Sequence, residues 1–342
     1  MNHLLFRHAK DADLESIHTL AKESGFGLTT LPKNRTLLAQ RLEHATTSWQ
    51  QIRHIPNHEY YLFVLEDINT HQIIGTSAIE AKTGGEAPFY SYKISKRIKA
   101  LNAHTSQHQH EDELLNLVND HQGHTELCTL YLTPKYRKDA CGAFLSRARF
   151  LFMAQFPERF SNIVIAEMRG VTTPDGNSPF WDALGYHFFH LSFIEADKRT
   201  LSTDKQFIAD CMPEHPIYIK LLSPEAQAVI GKPHPSTVPA MQLLKKEGFY
   251  YNHYIDIFDA GPVLESPISQ IKTYQDAQVF TLKTATHPIK KPLYLLSNTK
   301  ADFRATQAPA LINIEKNTCT VNTDTSTRLN LKSGDCIRAA LF

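Results

Sequence analysis

Residues 126–152, ELCTLYLTPKYRKDACGAFLSRARFLF, constrain this chain more than any other segment. Residues 126–132 are mostly apolar or β-branched and predict a short strand. Thr133-Pro134 is a turn candidate, Arg137 and Lys138 form a basic pair, and residues 140–143 are a loop of small side chains. A helix then follows, with Phe144, Ala148, Leu151 and Phe152 along one side. First-turn N–H groups of a helix have no internal partner, and the helix dipole favours negative charge there. A strand, a basic loop with little bulk and a helix N-terminus therefore make a seat for phosphate or diphosphate. The alternative is an ordinary strand-loop-helix corner with Arg137 and Lys138 in solvent. The sequence lacks GxxxxGK[ST] and lacks GxGxxG after a strand, so neither a P-loop nor a dinucleotide-binding fold is indicated.

With 342 residues, two domains or one enlarged α/β body are expected. Lys plus Arg (36) nearly equals Asp plus Glu (35), so no general basic field for nucleic acid exists and an anion must find a local site. The five cysteines show no CxxC or zinc-ligand spacing, and their odd number argues against a disulfide framework, which points to a cytoplasmic protein. No apolar run approaches membrane-spanning length, and no export signal is evident. The histidines at 104, 108, 110, 121 and 124 lie in polar sequence and read as surface loop; no metal site is expected.

In chain order, residues 4–6 predict a strand, and Asp11 precedes a helix marked by Leu14, Ile17, Leu20 and Ala21. Residues 24–32, punctuated by two glycines and a proline, form a structured loop that either lines a site or simply connects. A helix over 34–46 follows, then a hairpin of 60–65 and 73–79, and another strand at 89–94. Residues 162–168 predict a strand leading into Arg169-Gly170. Residues 178–188 read as a short aromatic helix, a glycine stop and a strand start, and 239–258 repeat that order. An internal duplication is therefore expected. Phe180, Trp181, Phe188 and Phe189 read as core. Helical material is expected at 204–211 and 225–230, with a boundary near 195–215. Short β-like pieces fill the chain from about 267 onward, such as 279–282, 293–296, 310–314 and 319–321.

The stretch 126–142 resembles the coenzyme-binding motif of GNAT acyltransferases, in which an Arg/Gln-x-x-Gly-x-Gly/Ala loop cradles the pyrophosphate of coenzyme A. The loop here is 137–142, with Ala140 where glycine is usual. Alanine should disturb such a loop little unless the position needs positive φ. The chain as a whole resembles the arginine N-succinyltransferase family, through SGFGLTTLP (24–32), VIAEMRG (164–170), SPFWDALG (178–185), LSPEAQAVIGKPHPSTVPA (222–240) and LLKKEGFYYNHYIDIFDAGP (243–262).

The resemblance implies an α/β (α+β) GNAT-like fold, with a mixed central sheet flanked by helices and a second related half. It divides the chain into 1–200 with the CoA loop, 201–280 with the catalytic histidine, and a small β-rich extension over 281–342. It implies transfer of succinyl from succinyl-CoA, a co-substrate rather than a resident cofactor, to the α-amine of L-arginine in arginine catabolism. Ornithine or another amine, another acyl donor, or a CoA-binding role beside a related subunit are the alternatives, and a homo-oligomer or a related second subunit is the partner it allows. Leu130 then lies on the strand associated with succinyl-CoA, Arg137, Lys138, Cys141 and Gly142 form the coenzyme loop, and His234 corresponds to the proton donor.

Amide formation from a thioester needs a neutral amine, stabilisation of the oxyanion and a proton for the thiolate. His234, between Lys232-Pro233 and Pro235-Ser236, is held by a stiff loop suited to that proton work. Cys128 and Cys141 are weighed as covalent nucleophiles, but direct attack is preferred. The guanidinium of the substrate needs an acidic partner, for which Glu80, Glu167, Asp256 and Asp259 are candidates. Its carboxylate needs a cation, for which Arg169 is one. The cation for the succinyl carboxylate is not identified.

Overall fold

The structure is a computed structural model and describes residues 3–25, 27–51, 53–85, 88–99, 110–199 and 211–342. β1 (Leu4–His8) leads into α1 (Leu14–Glu23), which buries Ile17, Leu20 and Ala21. α2 (Arg35–Gln50) starts where Asn34 accepts hydrogen bonds from the N–H groups of Thr36 and Leu37. The expected hairpin is β2 (Tyr60–Asp67) and β3 (Gln72–Glu80), paired from Tyr60 with Glu80 to Asp67 with Gln72. β4 (Ser91–Lys99) pairs along its length with β5 (His110–Val118). The central stretch follows as β6 (Thr125–Leu132) and α3 (Cys141–Gln155), and then β7 (Ile163–Glu167).

Three short helices come next, α4 (Pro179–Ala183), α5 (Gly185–Phe189) and α6 (Phe193–Arg199). β8 (Ile217–Tyr218), α7 (Pro224–Val229), α8 (Val238–Lys246), β9 (Tyr250–Ile255) and β10 (Pro262–Pro267) return the chain to the sheet. After α9 (Lys272–Asp276), strands β11 (Gln278–Ala285), β12 (Leu293–Asn298), β13 (Arg304–Asn313) and β14 (Thr318–Asn322) precede α10 (Thr323–Arg328) and β15 (Cys336–Leu341).

The mixed sheet runs β12-β15-β11-β14-β13-β1-β2-β3-β6-β7-β10-β9-β4-β5-β8, and only β6/β7 and β11/β14 are parallel pairs. Because β12 also pairs with β13, the last five strands close on themselves around Leu282, Leu296, Val321 and Ile337. The short β-like pieces of the sequence thus close a small barrel, which joins the rest of the sheet where Phe6 pairs with Ala305.

Period-two alternation on β2 assigns the two faces of the central sheet. Tyr60, Leu62 and Val64 pack toward α1 and α2, whereas Tyr61, Phe63 and Leu65 join the cluster around α3. In that cluster the Phe152 ring lies 4.9 Å from Trp49, 5.1 Å from Tyr61 and 5.2 Å from both Phe63 and Phe303, so one side chain ties helix, sheet and barrel together.

Four expectations are corrected. Gly185 does not stop a helix before a strand: residues 185–189 are themselves helical, so the helix-glycine-strand order does not recur. The glycine is there for space, since a Cβ would lie 2.3 Å from Trp181 Cε3. Trp181 and Phe180 are core as expected, whereas Phe188 is 39% exposed. His121 is buried rather than on a surface loop, with Nε2 3.1 Å from a Glu265 oxygen and Nδ1 3.3 Å from Ser91 Oγ. Residues 110–118 are a strand whose apolar Leu114 and Leu115 are flanked by polar neighbours, which hid its period. Most of the helix expected at 204–211, together with His104 and His108, lies outside the described residues.

Truncating Phe152 to alanine removes a fully buried ring shared by three parts of the fold. The expected loss is about 3–5 kcal/mol, seen as a lower urea midpoint by circular dichroism; an unchanged midpoint would show that the cluster does not join them.

Candidate active site

The parallel pair β6/β7 is bonded only where Thr125 meets Val164 and Glu126 meets Ile165. Beyond those residues the strands part. Residues 127–132 lose a neighbour on one side, and backbone polar groups of that edge face a cleft of about 760 Å³. Leu130, Glu167, Met168 and Arg169 all border it.

A bulge aims this edge. Thr76 pairs with Tyr131 and Ala78 with Cys128, so Thr129 and Leu130 together oppose Ser77. Thr129 has φ of 56°, rare for a β-branched residue. It is held there on several sides: its N–H donates to Thr30 Oγ1 (3.1 Å), its C=O accepts from Thr76 Oγ1 (3.0 Å), and its hydroxyl is 2.6 Å from Tyr60 Oη. The bulge switches the strand's faces. Cys128 packs with the α1/α2 layer, and Leu130 lies on the α3 side; strict alternation would have sent both the same way.

The glycine-punctuated loop 24–32 lines the cleft through Gly27, Leu28, Thr29 and Thr30. Gly27 lies against the Arg169 side chain, and a Cβ there would be 2.5 Å from its Nε. The far end of β7 is fastened by Asp259, whose carboxyl oxygens accept the N–H groups of Gly170 (2.7 Å) and Gly261 (2.9 Å). Asp256 accepts the N–H groups of Phe258 and Asp259. Burial, with Asp256 alongside, pushes Asp259 well above the usual carboxylate range. Both aspartates border the cleft as builders of its wall, Asp259 through both carboxyl oxygens and Asp256 through Oδ1.

The loop 231–237 is stitched onto β7's extension. Gly170 bridges to Pro233, and the His234 N–H donates to the Arg169 C=O at 2.8 Å. His234 Nδ1 is 2.7 Å from Ser236 Oγ and accepts the Ser236 N–H at 3.1 Å. Ser236 serves both tautomers: its hydroxyl accepts when Nδ1 carries the proton, and its N–H donates when Nδ1 does not. Burial, and secondarily the Arg169 guanidinium, lowers the imidazole pKa.

At the other end Glu80 and Glu126 are direct partners on adjacent strands, both bordering the cleft, with Arg41 close to them. Glu80, Glu167 and Arg169 were legible as candidates, whereas Glu126, Arg41, Thr129 and Arg149 were not. Glu126 and Thr129 looked like ordinary strand residues, and the two arginines like helix surface. A signal for Arg149 was present: a cation among Phe144, Ala148, Leu151 and Phe152 on a helix that reads as buried.

The loop 137–142 follows the far end of β6. Arg137 Nε donates to Leu132 C=O at 2.8 Å, fixing an exposed guanidinium at the end of β6, and Lys138 is exposed beside it. The first bond of the helix ladder at this end is Phe144 N–H to Ala140 C=O, so the N–H groups of Gly142 and Ala143 precede it. Cys141 is buried, and burial raises its thiol pKa; the same holds more strongly for Cys128, so neither is an activated nucleophile. Asp139 and Ala140 have φ of 51° and 57°. The position of Ala140 therefore does need positive φ, and alanine is not neutral there.

Residues 4–273 match the family model for the arginine N-succinyltransferase beta subunit, and residues 277–340 match that subunit's C-terminal domain. The chain belongs to the arginine N-succinyltransferase family. An arginine N-succinyltransferase of Yersinia pestis (strain Pestoides F) is 40% identical over 343 residues, covering 97% of this chain and 96% of that protein. One from Enterobacter sp. (strain 638) is 42% identical over 308 residues, 88% of each. The solved structure of arginine/ornithine succinyltransferase subunit AI from Pseudomonas aeruginosa superposes with a TM-score of 0.88 at 31% identity, covering 99% of this chain and 98% of that one. As a family member the chain is an N-acyltransferase. Among the described residues no helix is long and apolar enough to cross a membrane.

Replacing Ala140 by glycine relieves a left-handed conformation that costs an L-residue about 1–2 kcal/mol. The expected outcome is a rise in melting temperature, offset in part by the greater freedom of glycine in the unfolded chain; a fall would show that the loop needs the methyl group.

Proposed function

We propose that this chain transfers the succinyl group of succinyl-CoA to the α-amine of L-arginine, releasing CoA, by direct attack and in a cytoplasmic route of arginine catabolism. The observation that carries the reading is that Leu130 of the forked edge and Thr237 of the His234 loop border one cleft, with that loop bonded to the extension of β7. The pantetheine arm enters the fork, where its amides take up backbone groups that the parting of β6 from β7 leaves without a strand partner. The diphosphate rests at the N-terminus of α3, against Gly142, Ala143, Arg137 and Lys138. Leu130 then borders the thioester.

The guanidinium of arginine goes to the acidic end at Glu80 and Glu126, and the α-amine points toward the thioester. Holding both substrates in one cleft supplies the proximity that direct attack requires. Depression of its pKa favours the neutral form of His234. With Nδ1–H donated to Ser236 Oγ, Nε2 takes the proton that the amine loses as the C–N bond forms. The same nitrogen returns it to sulfur as the C–S bond breaks and the thiolate departs. Arg169 raises the acidity of that imidazolium and so favours the second transfer.

Purified protein, arginine and succinyl-CoA should yield free thiol and succinylarginine by mass spectrometry; folded protein giving no product rejects the reading. A second reading, ornithine as acceptor, is favoured by the description of the Pseudomonas structure. Competition between the two amines decides it through their kcat/KM values. A dependence on a related subunit would appear as turnover only on mixing.

His234→Gln should lower kcat by about 10²–10⁴-fold while leaving CoA affinity intact. In the parent enzyme the acid limb of kcat/KM should lie below the ordinary histidine pKa of about 6.5, since depression of the pKa keeps the neutral form to lower pH. A limb unmoved by the substitution excludes His234 as the titrating group.

Glu80→Gln should raise the KM for arginine about 10-fold or more, the loss of a charged hydrogen bond, with the KM for succinyl-CoA unchanged. Equal effects on both substrates would mean that Glu80 supports the cleft rather than binding the amine.

A further inference from the structure

Arg149 is 1% exposed, projects from the third turn of α3 and borders the cleft. Its Nε donates to Ser146 C=O and one Nη to Ser146 Oγ, both at 3.0 Å. These are bonds to its own helix one turn earlier, so they fix the guanidinium without joining it to any other element. Among the described residues no carboxylate pairs with it. A buried charge with no counterion is expensive, and apolar replacement of such a group is the usual stabilising change. The desolvation is felt: burial lowers its pKa to about 10, which still leaves it protonated. A charge kept at such a place awaits an anion from outside the chain.

The other cations bordering the cleft are already engaged. Arg41 faces Glu80 and Glu126 and donates to Thr30 C=O, while Arg169 donates to Thr172 Oγ1 and packs on Gly27.

Depth along the fork identifies the anion. A Cβ on Gly142 would be 3.9 Å from Leu132 Cδ2, so the helix start lies beside the end of β6. From Gly142 to Arg149 the helix advances ~10 Å, and ~10 Å back along β6 from Leu132 reaches Thr129. Arg149 is thus deeper in the fork than Leu130, level with Thr129 along β6, and borders the same cleft. An acyl chain bound through its thioester at Leu130 extends toward that depth. We infer that Arg149 binds the free carboxylate at the end of the acyl group and so selects a dicarboxylic acyl thioester over a neutral one. The inference rests on reading the cleft as a succinyl-CoA site, and it names the cation that the sequence left unidentified.

The test compares succinyl-CoA with butyryl-CoA, the donor of equal carbon number with a methyl in place of the carboxylate, using arginine as acceptor. The parent enzyme should prefer succinyl-CoA by about 100-fold or more in kcat/KM, as expected when a buried polar partner is left unmatched. Arg149→Met should bring the two donors near parity, mainly by loss of the succinyl rate, with CoA affinity by calorimetry unchanged. Its melting temperature should hold or rise, because an unpaired buried charge has gone. If Arg149→Met does not fold, Arg149→Lys carries the test: it keeps the charge without the planar fork and should reduce the preference in part.

A parent enzyme that uses both donors equally overturns the inference, as does either folded variant with the preference intact. A raised KM for arginine with the donor preference unchanged would assign Arg149 to the amino-acid carboxylate and overturn it as well. Folded parent protein that fails with succinyl-CoA and arginine but turns over butyryl-CoA or another neutral donor rejects the underlying reading instead.

Discussion

The parting of β6 from β7 is the constraint on which the rest of the site depends. Parallel neighbours in a sheet normally complete each other's hydrogen bonds, and a strand edge left open inside a protein is costly unless something occupies it. Here the pair is bonded through two residues on each strand and then opens. The bulge at Thr129 makes the opening useful, because it turns Leu130 to the α3 side just where the neighbouring strand has left. A threonine at positive φ would relax to an ordinary strand if isolated; hydrogen bonds from Thr30, Thr76 and Tyr60 hold it.

Much of the surrounding machinery keeps the two sides of the fork at fixed separation. The loop 24–32 touches both, through Thr30 at the bulge and Gly27 at Arg169. Asp259 fastens the extension of β7 to the turn after β9, and the His234 loop lies on that extension through backbone bonds. The loop that carries the imidazole is therefore held by main chain rather than by long side chains, which is the more rigid way to hold it. Charge is divided across the cleft: an acidic pair on β3 and β6 at one end, and guanidinium groups from α2, α3 and the end of β7 around it.

Legibility from sequence followed the range of the interaction. The β2/β3 hairpin, the start of α2 at Asn34 and the strand-loop-helix at 125–155 are set by alternation, capping and turn chemistry within a few residues, and each appeared where its pattern predicted. Gly185 misled because its role is to let Trp181 approach, a contact that spacing cannot distinguish from a helix stop. Asp256 and Asp259 were read as candidate partners for a guanidinium; the structure adds that they border the cleft and accept backbone N–H groups of Gly170, Gly261 and their own turn.

The sequence by itself determined the strand, loop and helix at 126–155, the stiff histidine loop and the family, because these are carried by contiguous residues. Only the tertiary structure decided that Thr129 is a bulge, that Glu80 and Glu126 stand opposite one another, and that Arg149 is a buried cation with no carboxylate partner among the described residues. Strand register, burial and charge compensation depend on residues brought together from distant parts of the chain, and no local pattern of side chains records them.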